Sequence, residues 1–166
     1  MKPFFLCTLL IFLFTIGCKD KKEFYFNDFD ADSLRNRPGI CNLISDTANR
    51  FACTGNNQEF SYTVTFDFAQ LREKGFRKAR VSASVMRHRP ESTGKLIVSL
   101  EPVFNEQLYL INELIYSTPL AGKWYTVKEV IFFPDKAPEG TVMKIYLWSE
   151  DKSRIMMNDL KIEFDK

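Results

Sequence analysis

Residues that could carry catalysis are few in this sequence. Its one histidine, His88, lies between two arginines where a strand is expected to end. No G-x-S-x-G nucleophile elbow, H-E-x-x-H zinc motif, P-loop or G-x-G-x-x-G dinucleotide fingerprint occurs. The 21 acidic residues are compatible with the carboxylate pair of a glycosidase, so a glycan-active enzyme is kept as a remote alternative. The sequence favours a protein that is not an enzyme.

The first eighteen residues combine a basic start with an apolar run. Lys2 precedes an apolar segment that continues to Ile16 and is followed by Gly17 and Cys18. This segment, about a dozen residues long, is shorter than the roughly twenty residues of a spanning helix. A small residue and a cysteine at the end of such a run resemble the lipobox of bacterial lipoproteins. An ordinary cleaved signal peptide or a short membrane anchor is the alternative.

The lipobox resemblance implies that residues 1–17 are a signal peptide and that Cys18 is lipidated. Residues 18–22 then form a polar tether, Cys-Lys-Asp-Lys-Lys. This tether is similar to the charged signals that follow the lipidated cysteine in surface-exposed lipoproteins of the Bacteroidetes, although a solvated spacer explains its charges equally well. We expect a lipid-anchored protein of the outer membrane, facing either the periplasm or the cell surface.

The four cysteines divide by position. Cys7 would leave with the signal peptide and Cys18 would take the lipid, so Cys41 and Cys53 remain together in a compartment that favours oxidation. We therefore expect a disulfide between them, closing a polar segment rich in Asn, Ser, Asp and Thr. A metal site and two free buried thiols are the weaker alternatives, because neighbouring histidine ligands are missing.

Composition points to one globular domain, residues 23–166. Aromatic residues make up 14% of the chain, and sixteen of them are Phe, which favours a packed core. The formal net charge is only +2. A balance so close to neutral gives no electrostatic support for nucleic acid or for an anionic membrane as a partner.

The pattern of apolar residues is that of strands separated by turns. Residues 59–68 alternate, which predicts a half-buried strand with Phe60, Tyr62, Val64, Phe66 and Phe68 on its inner face. Further strands are expected at 23–26, 50–53, 76–88, 95–101, 108–116, 124–133, 141–148 and 155–164. One helical turn is expected at 69–74. Eight or nine strands without a long helix predict an all-β protein, an antiparallel β-sandwich.

The order of several short motifs resembles galactose-binding-like jelly rolls, a group that includes many carbohydrate-binding modules. The motifs are Asn27-Asp28-Phe29-Asp30, Arg50-Phe51-Ala52, Glu59-Phe60-Ser61, Gly122-Lys123-Trp124, Phe133-Pro134, Lys144-Ile145-Tyr146-Leu147-Trp148 and Met157-Asn158-Asp159-Leu160-Lys161-Ile162. The resemblance covers nearly all of residues 23–164. It implies the jelly-roll fold, which serves sugar binding, protein docking and purely structural roles.

The same resemblance implies a structural calcium site where the first and last strands meet. Its matching positions are Asp28 and Asp30 near the start and Asn158 and Asp159 near the end. Hard oxygen donors of this kind suit calcium. A turn in which these side chains bond to nearby backbone amides is the alternative.

Two functions remain open for the domain. In the first, Tyr146, Trp148 and Lys144 share the outer face of one strand and bind a glycan, because aromatic faces beside hydrogen-bonding groups suit sugar rings. The two aromatic residues could instead be structural, covered by a loop or a neighbouring strand. In the second, the chain is a structural or accessory subunit that docks to a larger envelope complex through an exposed apolar patch.

Overall fold

The computed structural model describes residues 22–34, 37–43, 46–55, 57–101 and 108–166. In these ranges the chain forms ten strands: β1 (Glu23–Asn27), β2 (Ile40–Leu43), β3 (Asp46–Cys53), β4 (Val64–Asp67), β5 (Lys78–Arg87), β6 (Lys95–Glu101), β7 (Leu108–Glu113), β8 (Tyr125–Phe132), β9 (Val142–Trp148) and β10 (Ile155–Asp165). Two short helices, α1 (Phe68–Glu73) and α2 (Leu114–Ser117), and a 3-10 turn (Asp32–Leu34) complete them. None of the helices described is long and apolar enough to cross a membrane.

The strands form two sheets that pack face to face. The six-stranded sheet has the order β2-β3-β10-β5-β8, and β1 also pairs with β10. The four-stranded sheet has the order β4-β9-β6-β7. The pairings within both sheets are antiparallel. The predicted antiparallel sandwich is confirmed, with ten strands in the described residues where eight or nine were expected.

The core lies between the sheets and follows from the period of two along each strand. On β9, Met143, Ile145 and Leu147 have no exposed surface. The neighbouring strand β6 adds Leu96, Val98 and Leu100, and β5 in the facing sheet adds Val81, Ala83 and Val85, all of them almost fully buried. At about 25 cal/mol per Å² of buried apolar surface, this layer is the main source of stability.

The predicted strand at 59–68 is wrong at both ends. Only Val64–Asp67 forms a strand, and Phe60, expected inside, is 52% exposed. Phe68 begins α1, because the Asp67 side chain caps the helix by accepting the Ala69 N–H at 2.8 Å. Before β4 the chain crosses between the sheets, since the Ser61 N–H donates to the Leu147 carbonyl and the Tyr62 N–H to that of Gly39.

Gly39 is required at this crossing. Its φ of 77° is left-handed, and a Cβ there would overlap the backbone nitrogen of Tyr62. β2 and β3, which follow it, pair with each other, whereas the sequence predicted a strand here only at 50–53. This segment is polar and lacks the alternation of apolar residues from which β2 and the start of β3 could have been predicted.

The predicted strand at 108–116 ends early. β7 stops at Glu113, and α2 buries Leu114 completely. The Thr118 N–H donates to the Leu114 carbonyl at 2.8 Å, which closes the helical turn. Local hydrogen bonding and the burial of one leucine therefore outweigh the β-branched, aromatic character of this segment.

A small second hydrophobic cluster covers part of the outer face of the six-stranded sheet. It contains Phe51, Cys53, Met86 and Met156, and the Trp124 ring lies 5.3 Å from that of Phe51. Met86 lies on this outer face, and the cluster leaves it only 5% exposed.

Arg87, at the end of β5, is a buried clamp with 3% of its surface exposed. Its guanidinium donates to the Thr118 carbonyl at 2.7 Å, to the Thr118 hydroxyl at 2.8 Å and to the Pro90 and Ser92 carbonyls. One side chain therefore joins β5, the turn after it and the connection between α2 and β8.

Candidate functional site

The outer face of the four-stranded sheet carries the three residues predicted to bind a ligand. Lys144, Tyr146 and Trp148 alternate with the buried residues of β9 and are half-buried. The structure therefore brings these three side chains to one face, and the partial exposure of the two rings leaves aromatic surface available there.

An ion pair fixes polar groups beside Tyr146. The Lys144 ammonium contacts the Glu101 carboxylate on β6, which also accepts a hydrogen bond from the Ser99 hydroxyl at 2.8 Å. Lys144 lies opposite Ser99 in the strand register. Both charged groups are thereby held on the same face as the aromatic rings.

Three contacts order the aromatic residues. The rings of Phe60 and Tyr146 meet edge to face with their centroids 5.9 Å apart, and Phe60 forms an isolated β-bridge with Trp148. On the other side, the Lys95 ammonium lies 4.9 Å from the Trp148 ring centroid, a cation–π contact. The side chains are therefore largely preorganised.

These groups surround a shallow, open depression lined by Phe60, Thr63, Thr65, Glu101, Lys144 and Tyr146. We call this surface, together with Trp148, the β9 face. Flat aromatic surface beside a hydroxyl, a carboxylate and an ammonium group can bind a molecule with one apolar face and a polar edge. A sugar ring has this character.

Sequence reasoning missed Phe60 and Glu101. Phe60 was placed in the core because the alternation of 59–68 was taken as one continuous strand. Glu101 could have been found, since it has the same parity along β6 as Lys95 and Ser99, whose partners across the sheet are Trp148 and Lys144.

The turn that follows Trp148 is fixed by Asp151. Its carboxylate accepts hydrogen bonds from the Ser149 hydroxyl at 2.6 Å, the Thr93 hydroxyl at 2.8 Å and the Ser153 N–H at 2.9 Å. Burial raises the pKa of Asp151, but these hydrogen bonds together outweigh it and hold that pKa well below its ordinary value. The network joins the β5–β6 and β9–β10 connections beside the β9 face.

Cys41 and Cys53 form the predicted disulfide, with their Cα atoms 6.1 Å apart. The bond joins β2 to β3 across the hairpin and borders the second hydrophobic cluster. Cys18 and the predicted signal peptide, 1–17, lie outside the described residues.

Two of the four residues of the calcium prediction, Asp28 and Asp159, lie at the end of the β1–β10 pairing. Asn27 lies opposite Leu160, so Asp28 and Asp159 adjoin the last pair of the ladder. Asp28 accepts a hydrogen bond from the Asp30 N–H at 3.2 Å, and Asp30 accepts one from the Arg50 N–H at 2.7 Å. The Arg50 guanidinium donates to the Asp30 carbonyl at 2.9 Å.

The carboxylates of these residues alone do not form a calcium site. Within the described ranges, no group of three or more His, Cys, Asp or Glu side chains could hold a metal ion. A buried acceptor without a hydrogen-bond partner, Asn158 Oδ1, does lie at the corner. Calcium binding by Asp28, Asp30, Asn158 and Asp159 stays a prediction, and it would need this amide oxygen or backbone carbonyls as further ligands.

Comparison with known proteins shows the fold. No protein-family model and no curated protein matches the chain. Among solved structures, the CBM22-1 xylan-binding domain of Paenibacillus barcinonensis Xyn10C is 12% identical, with a TM-score of 0.55 over 89% of this chain and 97% of that domain. The CBM22-2 xylan-binding domain of the same protein is 12% identical, with a TM-score of 0.53 over 86% and 99%.

A two-module structure from Clostridium thermocellum Xyn10B, containing CBM22-1 and GH10 modules with xylohexaose, is 18% identical with a TM-score of 0.44. It matches 77% of this chain, which spans only 26% of that protein. At such identities the likeness extends to the β-sandwich fold alone, and the function has to be argued from the β9 face.

Proposed function

We propose that this chain is a non-catalytic glycan-binding domain, held at the cell envelope by a lipid on Cys18. The observation that carries the proposal is the β9 face, where Phe60, Tyr146 and Trp148 lie beside the Lys144–Glu101 ion pair. The anchor follows from the lipobox resemblance at the start of the sequence.

Binding would divide between two kinds of contact. The half-exposed rings of Tyr146 and Trp148 would cover the C–H face of a sugar, which displaces poorly bound water. Lys144 would donate to sugar hydroxyls and Glu101 would accept from them, and each is already held by the other. Because little ordering is needed, the loss of side-chain entropy on binding would be small.

The fold neighbours suggest the first ligands to test. Two of them are described as xylan-binding domains, so β-linked plant polysaccharides are the first class for a binding panel. This step is an analogy between folds, and the choice of glycan rests on it alone.

A panel of soluble glycans tests the proposal. The protein is the full chain with Cys18→Ser, which prevents lipidation, and binding is measured by affinity electrophoresis with xylan and other polysaccharides. We expect retardation by at least one glycan and its loss in Phe60→Ala. The matched control is Phe132→Ala, which removes an exposed Phe from the opposite sheet. Absence of binding across the panel would contradict the proposal.

A further inference from the structure

The outer face of the six-stranded sheet carries exposed apolar residues near the start of the domain. Phe24 is 70% exposed and Phe26 53% exposed on β1, while Val130 is 40% and Phe132 68% exposed on β8. The strand register places them on opposite sides of β10 and β5. Phe24 and Val130 line the two sides of a groove between these strands.

The floor of this groove is charged. Arg80 and Lys161 lie along it with Glu163, and Arg80 contacts Glu163 at 3.2 Å. The Lys161 ammonium lies 5.5 Å from the Phe26 ring centroid. Around the groove, the basic side chains are Lys22, Lys78, Arg80, Lys128 and Lys161, and the carboxylates are Glu129, Glu163 and Asp165. We call this surface the β1–β8 face. Lys22, Lys78 and Arg80 form ion pairs with Glu163 or Asp165, so the excess of basic groups lies at Lys128 and Lys161.

The exposure of phenyl rings to water is unfavourable in free energy. Phe has no polar atom to hydrate, and large exposed apolar patches on soluble domains mark interaction surfaces. Exposed apolar side chains next to lysine and arginine are typical of surfaces that lie in a membrane interface.

The length of chain before β1 indicates the occupant. Phe24 follows Cys18 by six residues, and six residues span at most about 21 Å when extended. A lipid on Cys18 would therefore hold β1 within that distance of the bilayer surface. In sequence, β1 of the β1–β8 face is the strand that begins nearest to this attachment point.

We propose that the β1–β8 face docks on the phospholipid interface in which Cys18 is anchored, an inference that rests on the proposed lipidation. Phe24, Phe26 and Phe132 enter the headgroup region, where aromatic rings are favoured, and the surplus lysines contact anionic headgroups. Several weak contacts add to the lipid because the tether keeps their effective concentration high.

Docking in this orientation has a consequence for the β9 face. The two sheets of a sandwich pack about 10 Å apart, so their outer faces point in opposite directions. With the β1–β8 face on the membrane, Tyr146 and Trp148 face away from it. The anchor would then present the glycan-binding face to the surroundings.

Two labelled variants of the full lipidated chain test the orientation. Lys128→Cys on the β1–β8 face and Thr65→Cys on the β9 face are each labelled with a fluorophore in vesicles of phosphatidylethanolamine and phosphatidylglycerol carrying nitroxide headgroups. We expect at least threefold stronger quenching at position 128. Equal quenching at both positions would overturn the docking while leaving the anchor intact.

A second arm is independent of the lipid. The Cys18→Ser chain is sedimented with the same vesicles, and we expect a partition coefficient that falls about tenfold in Phe24→Ser/Phe26→Ser and also falls in high salt. Ile111→Ser, which removes an apolar residue 49% exposed on the opposite sheet, is the control and should not change it. Circular dichroism confirms that each variant is folded.

The outcomes separate the two proposals. Labelled palmitate that does not enter the wild-type chain would refute the anchor, and docking is then judged from sedimentation alone. Equal sedimentation of the Phe24→Ser/Phe26→Ser variant and the wild type would overturn docking. Self-association that is lost in this variant, without any vesicle binding, would assign the face to a second copy of the chain and also overturn it.

Discussion

The ring of Phe60 meets the ring of Tyr146 edge to face, with 5.9 Å between their centroids. Phe60 precedes the strand β4, and Tyr146 lies in the middle of β9. The pair widens the apolar surface of the β9 face and holds the Tyr146 ring at a fixed angle. Edge-to-face aromatic pairs contribute about 0.5 to 1.5 kcal/mol beyond their buried area, so the contact stabilises the site as well as shaping it.

The disulfide prediction concerns Cys41 and Cys53. Replacing both by Ala should lower the free energy of unfolding by about 3 kcal/mol, because the bond removes loop entropy from the unfolded chain. Urea unfolding with and without reductant measures the loss. Alkylation of both cysteines in the native, unreduced protein would contradict the bond.

The buried Arg87 should matter more than an exposed arginine two residues away. Arg87→Ala leaves the Thr118, Pro90 and Ser92 carbonyls without their donor, and we expect a loss of about 3 kcal/mol. Arg89→Ala is the matched control, since that side chain is 71% exposed and should change stability by about 0.5 kcal/mol or less. Urea midpoints that shift equally in the two variants would contradict a stabilising role for the buried Arg87 hydrogen bonds.

Acid should weaken the Asp151 network. A carboxyl with a lowered folded pKa binds fewer protons when folded, so its contribution is present above the unfolded value near 4 and is lost as pH falls below it. Because Asp151 is solvent-exposed, Asp151→Asn should cost about 1 kcal/mol or less at pH 7. The free energy of unfolding of the Asp151→Asn variant should also depend less on pH between about 4 and 2 than that of the wild type. A pH profile identical to that of the wild type would contradict this reading.

Calcium should stabilise the corner between β1 and β10 if the predicted site exists. An ion at a hundred times its Kd would add about 2.7 kcal/mol, and each kcal/mol raises Tm by roughly 2 to 4 °C for a domain of this size. A chelator should lower the Tm, and Asp159→Ala should abolish that response. A melting curve unchanged by chelator, with no metal on elemental analysis, would leave Asp28, Asp30 and Asn158 as turn formers.

Most strands could be predicted from the sequence because their buried residues alternate with exposed ones. On β6, on β9 and on β5 as far as Val85, each inward residue is apolar and is buried between the two sheets, so the period of two is strong. Sequence reasoning failed where local hydrogen bonds decide the structure. Asp67 caps a helix inside an alternating segment, and Leu114 starts a helix inside an apolar one, so neither break is visible in the apolar pattern.

The candidate site was only partly accessible to the same reasoning. Tyr146, Trp148 and Lys144 share a strand, and their common face follows from parity. Phe60 reaches that face through a crossing between the sheets that depends on the Tyr62–Gly39 hydrogen bond, a contact between residues far apart in sequence. No local pattern encodes it.

The central claim is that the β9 face binds glycan, and isothermal titration calorimetry tests it most directly. The best glycan from the panel is titrated into the Cys18→Ser chain, its Tyr146→Ala/Trp148→Ala variant and its Phe132→Ala variant, each shown to be folded. We predict unchanged affinity for Phe132→Ala and at least a tenfold loss for the double variant, about 1.4 kcal/mol. Equal affinity in all three proteins would contradict the account.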